Sequence, residues 1–217
     1  MESRNSKAMA RYNENRIDLA SSHHWRLWFS WLLAGMVGEP VAWVAILLTI
    51  GPVQDILSRS VWQIGSLLYG ILIAIAQSIA LRRCVRDFSP PAWILLTALG
   101  GAIRWQLLFT YGSANVAVAG NVGPLIGTIF TLSVGVVLGL LTGAMQWFAL
   151  RRYTSAALWW IPANAIAWIL AVPVWLFISN MGAFLLATVL LGGLTSALTG
   201  FTLVRMLYTK PAPVTEE

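Results

Sequence analysis

Charge is scarce in this chain: Asp, Glu, Lys and Arg together make up 10% of its 217 residues. A soluble domain carries roughly 25%, and a surface this apolar would not stay in water. Lysine occurs only as Lys7 and Lys210, both outside the long apolar runs, so no buried amine is available for a retinal-type Schiff base. The two histidines, His23 and His24, are adjacent and cannot ligate a haem held between helices. The single cysteine, Cys84, excludes a disulfide within the chain, and no Cys/His spacing fits a metal site. The apolar runs hold no Ser–His arrangement and no acidic dyad, and the chain has no glycine-rich phosphate loop. The reading therefore assigns no catalytic residue and no metal ligand, expects no enzyme, and leaves any cofactor unknown.

What remains is hydrophobic: 58% of residues are apolar, and the mean hydropathy is +0.74. About 20 apolar residues cross a bilayer core as a helix. Six such runs are present: Leu27–Ile50, Val61–Leu81, Ala92–Tyr111, Gly123–Leu150, Leu158–Ser179 and Gly182–Met206. Turn-forming segments separate them, among them Gly51-Pro52, Ser89-Pro90-Pro91 and Asn180. The expected fold class is all-α, a polytopic bundle of six transmembrane helices over residues 27–206. A polar segment, 1–26, precedes it and a short tail, 207–217, follows. The first 24 residues are of mixed charge, unlike a cleaved signal peptide.

The formal charge of +6 raises nucleic acid as a partner. The basic residues, however, sit in short clusters at helix ends and form no binding face, so the bilayer is the expected partner. Their distribution sets direction, because cytoplasmic loops are enriched in Lys and Arg. Arg4, Lys7, Arg11, Arg16 and Arg26 precede the first run. Arg82, Arg83 and Arg86 follow the second, Arg151 and Arg152 the fourth, and Arg205 and Lys210 mark the end of the sixth. Twelve of the 14 basic residues thus fall on one side, which places both termini in the cytoplasm.

The even runs end alike. Gly70, Gly139 and Gly193 each stand twelve residues before an arginine, Arg82, Arg151 and Arg205. Gln77 and Gln146 each stand five before it, where the third copy has Gly200. In the odd runs Trp31, Trp93 and Trp160 precede Gly38, Gly100 and Ala167 by seven residues. This register predicts three helical hairpins, over about 27–86, 91–152 and 158–206. Small residues on every helix suit close helix packing, which explains them without any ligand.

Charges inside spans are costly, by about 2.5–3.5 kcal/mol on insertion scales, and mark functional sites by default. Glu39 and Arg104 lie at similar depths in the first and third spans. They are expected to pair, either as a structural staple or as a ligand site. Gln77, Gln146 and Asn164 are expected to bond to neighbouring helices or to line a polar site. Of twelve tryptophans, Trp25, Trp28, Trp31, Trp93, Trp159 and Trp160 cluster toward the cytoplasmic ends, where an aromatic belt is expected. Trp43, Trp105, Trp168 and Trp175 lie deeper.

The Gln146-Trp-Phe-Ala-Leu-Arg-Arg152 segment, followed by Trp160-Ile-Pro-Ala-Asn164, resembles a group of uncharacterised bacterial membrane proteins, cyanobacterial and other photosynthetic-lineage ones among them. The resemblance covers about four of the six helices. It implies no activity, but it suggests a bacterial inner or thylakoid-type membrane. The six-helix layout is also similar to substrate-binding subunits of vitamin importers, on topology alone. Three functions follow as expectations. The first is a non-catalytic subunit or scaffold within a larger membrane complex, partnered by other membrane subunits. The second is a small transporter or substrate-capture subunit with a mid-membrane polar site. The third is a binder of pigment, quinone or lipid.

Overall fold

The computed structural model describes residues 2–50, 59–85, 87–103, 106–107 and 124–208. Six α-helices stand among them: α1 (Glu2–Ile50), α2 (Arg59–Cys84), α3 (Pro90–Ile103), α4 (Pro124–Leu150), α5 (Trp160–Asn180) and α6 (Phe184–Tyr208). Five are long and apolar enough to cross a membrane; the described part of α3 is shorter. The protein is an all-α, multi-pass membrane bundle. One boundary differs from the compositional reading. Helix α1 starts at Glu2, not where the apolar run begins. No proline or glycine occurs before Gly35, so nothing local stops a helix from running through the polar segment.

The connections follow from local chemistry. Asp87 adopts a positive φ of 58° between α2 and α3, and Pro90 opens α3, where its missing N–H is harmless. Between α4 and α5, the Thr154 hydroxyl accepts from the Ala156 amide and caps a 3₁₀ turn, Ser155–Trp159. The same hydroxyl donates to the carbonyl of Met206 at 2.9 Å, tying this turn to α6. The α5–α6 turn passes through Gly182, whose φ of +78° a side chain would strain.

Each helix packs on the next in the chain, and α6 closes on α1. Helices α1 and α2 are in contact, as are α4 and α5, α5 and α6, and α1 and α6. Gly70 of α2 lies on Ala98 of α3, and Gly100 of α3 lies on Met145 of α4. The result is a ring of six helices. Its outer surface is apolar, with Leu33, Val37, Leu48, Ile75, Ile129 and Leu170 all exposed, as a lipid solvent demands.

Candidate functional site

Three tryptophans fill the middle of the ring at the end where the arginines lie. Trp31 of α1, Trp93 of α3 and Trp160 of α5 are at most 1% exposed. Their ring centroids form a triangle with sides of 5.9, 5.7 and 6.3 Å. The interplanar angles of 74°, 76° and 64° are edge-to-face, the arrangement that aromatic quadrupoles favour. This corrects the expectation of an interfacial belt for these three residues. Trp25 and Trp159 do fit a belt, at 61% and 68% exposed. The sequence signal separating the two groups was the shared seven-residue offset of Trp31, Trp93 and Trp160 to Gly38, Gly100 and Ala167. Positions in equivalent register on three converging helices meet inside the ring, whereas Trp25 and Trp159 have no such counterparts.

Polar side chains collar the triangle. The indole N–H of Trp160 donates to Gln146 Oε1 at 3.0 Å, and that of Trp31 donates to Thr199 Oγ1 at 3.0 Å. The Gln146 amide donates to Thr97 Oγ1 at 3.3 Å and to Gln77 Oε1 at 3.4 Å. Gln77 and Gln146 are therefore brought together, as interhelical bonds of α2, α3, α4 and α5. Asn164 is buried but serves its own helix, donating to the carbonyl of Trp160 at 2.9 Å. The Trp93 indole nitrogen has no hydrogen-bond partner among the described residues. Thr97 and Thr199 were not singled out by sequence, because a threonine in a membrane helix ordinarily bonds its own backbone.

The small residues sit at the helix seams. A methyl group placed on Gly70 would stand 2.7 Å from Ala98 Cα, and one on Gly139 would stand 2.5 Å from Ala165 Cα. Gly38 faces Ile73 and Ala76 of α2 at 3.4 Å, and Gly100 faces Met145 and Thr142 of α4. Ala167 is fully buried. The third seam differs from expectation. Gly192, one residue before Gly193, meets Gly35 of α1, while Gly193 faces only the flexible Met36 side chain, at 3.2 Å. The crossing of α1 and α6 is offset because both helices carry a small residue there, so two backbones meet directly.

Glu39 is 5% exposed, between α2 and α6. The Tyr69 hydroxyl donates to its carboxylate, and its side chain lies against Gly192. Tyr69 belongs to a second aromatic cluster with Trp43, at 5.9 Å and 68°. Arg104 and Trp105 lie outside the described residues, so the expected pairing of Glu39 with Arg104 is not placed. No group of three or more metal-ligating side chains occurs among the described residues. An open apolar pocket of about 210 Å³ lies on α4 beside Leu107, lined further by Phe130, Ser133, Val134, Val137 and Leu138.

No family model, curated protein or solved structure matches this chain. Its function is therefore argued from the arrangement above.

Proposed function

We propose that this chain is a non-catalytic integral membrane subunit, packed within a larger membrane complex and built from three related helical hairpins. One observation carries the reading: three fully buried indoles and their glutamine–threonine collar fill the middle of the ring. A centre occupied by packed side chains suits a scaffold better than a conduit. The repeat is supported by register. Gly70 and Gly139 sit on residues five after Trp93 and Trp160, and Gly193 faces Met36, five after Trp31. Purification in mild detergent with native mass spectrometry tests the function. Stoichiometric membrane partners are expected. A chain recovered alone with a retained small molecule, or with visible absorption, would favour a ligand binder instead.

The reading includes six crossings, with both termini in the cytoplasm of a bacterial or thylakoid-type membrane. A cysteine introduced at Ser113 is expected to react with an impermeant thiol reagent added to intact cells, and one at Ser155 is expected to stay unlabelled. The opposite pattern overturns the orientation.

Buried Glu39 favours a second reading, a small transporter or capture subunit with a mid-membrane polar site. Pairing with Arg104 is its natural complement. By register Arg104 stands eleven residues after Trp93, matching Ala42 and Ala171, both fully buried. If the pair is a staple, Glu39→Gln or Arg104→Met alone should lower thermal stability in detergent more than the two together. A double variant that folds normally but loses transport or a bound ligand would assign the pair to a functional site.

A further inference from the structure

The cationic end of the bundle carries arginines that are braced as well as exposed. Arg151 is exposed, and its guanidinium lies 5.3 Å from the centroid of Trp147 and 5.0 Å from that of Phe148. Arg205 lies 4.9 Å above Phe201. Phe148 and Phe201 are 44% and 56% exposed, so both braces stand on the outer wall of the ring. The apolar span of α4 runs 24 residues and ends at Leu150, the residue before Arg151. At 1.5 Å per residue that is roughly 36 Å, against about 30 Å for a hydrocarbon core, which puts Arg151 at headgroup depth. Arg152 is exposed beside it, and exposed Trp159 stands at the same end.

Cation–π stacking restrains a guanidinium that would otherwise sweep a wide volume. A guanidinium carries a planar fork of N–H donors, and the oxygens of a phosphate match that fork. The exposed phenyl ring below offers a surface for the first methylenes of an acyl chain. Charge above, apolar wall below and placement at the edge of the hydrocarbon together fit one occupant, an anionic phospholipid.

We propose that Arg151, braced by Trp147 and Phe148, forms with the adjacent Arg152 a binding site for an anionic phospholipid headgroup at the end of α4. The first hairpin has Ser78 and Ile79 where the second has Trp147 and Phe148, so it lacks the brace and holds lipid less selectively.

The test is native mass spectrometry of the full chain in mixed micelles with equimolar phosphatidylglycerol and phosphatidylcholine, counting retained lipids of each kind. The wild-type chain is expected to prefer phosphatidylglycerol. Removing charge as Arg151→Gln with Arg152→Gln should lower that preference about fivefold for each arginine. The variant Phe148→Leu with Trp147→Leu keeps the charge and should give an intermediate loss. Both pairs are judged only on material that elutes as a single folded species, and raising the salt on the wild-type chain gives the same readout without mutation. Equal retention of both lipids by the wild-type chain overturns the proposal, as does a preference unmoved by the arginine changes or by salt. Displacement of the lipid by millimolar inorganic phosphate would also overturn it, by showing a simple anion site.

Discussion

Alanine at Gly139 is expected to separate α4 from α5, whereas alanine at Gly193 is expected to be absorbed. The added carbon at Gly139 stands 2.5 Å from Ala165 Cα and 2.6 Å from the carbonyl oxygen of Asn164. Both are backbone atoms of α5, so neither can rotate aside and the helix as a whole must move. Overpacking of this kind costs about 1–3 kcal/mol and sometimes more. The midpoint of thermal unfolding in detergent should fall on the order of 5–10 °C. Gly193 instead faces the Cγ of Met36 at 3.2 Å, a side chain with three rotatable bonds. Alanine at Gly192 should behave like alanine at Gly139, because it meets the carbonyl of Gly35. Equal tolerance of alanine at Gly192 and Gly193 would sink this account of the α1–α6 seam.

Replacing any of Trp31, Trp93 or Trp160 by alanine should cost about 3–5 kcal/mol, the usual loss for a fully buried aromatic side chain. Phenylalanine separates the three. Trp160→Phe removes the donor to Gln146 Oε1, leaving a buried acceptor short of a bond at a further cost of about 1–3 kcal/mol. Trp31→Phe takes a donor from Thr199, whose hydroxyl still donates to the Thr195 carbonyl at 2.7 Å. Trp93→Phe removes an N–H that has no partner among the described residues, so it should be the mildest. Denaturation of the three phenylalanine variants in one detergent checks the order. Equal losses at Trp93 and Trp160 would contradict it.

These expectations depend on side-chain partners that one sequence shows unevenly. The spans were legible because hydrocarbon imposes a length, and each of the five apolar spans begins within a few residues of its expected run. Gly70 and Gly139 were legible as packing positions because a twelve-residue offset to arginine repeats. Gly192 was not, since helix rotation decides which of two adjacent glycines meets the neighbour, and periodicity cannot fix a rotation of 100°. Trp31, Trp93 and Trp160 were assigned to the belt because their distance from the helix end is that of an interface residue, and depth says nothing of facing. Gln77 and Gln146 were legible as polar groups that bond to neighbouring helices, but their meeting each other, and the contact of Gln146 with Thr97, required the helix faces. Tyr69 as the donor to Glu39 had no sequence signal beyond lying in a span.

The indole triangle also bears on how the chain is assembled as it leaves the ribosome. Its corners belong to the first, third and fifth helices, so translation delivers them one at a time. Until Trp160 arrives, Trp31 and Trp93 lack their common neighbour and Gln146 lacks its indole donor. Even then the ring stays open, because α1 closes on α6, whose 25 residues follow α5 in the chain. A nascent chain arrested after α4 therefore presents two indoles without their third neighbour and a Gln146 side-chain oxygen without its indole donor.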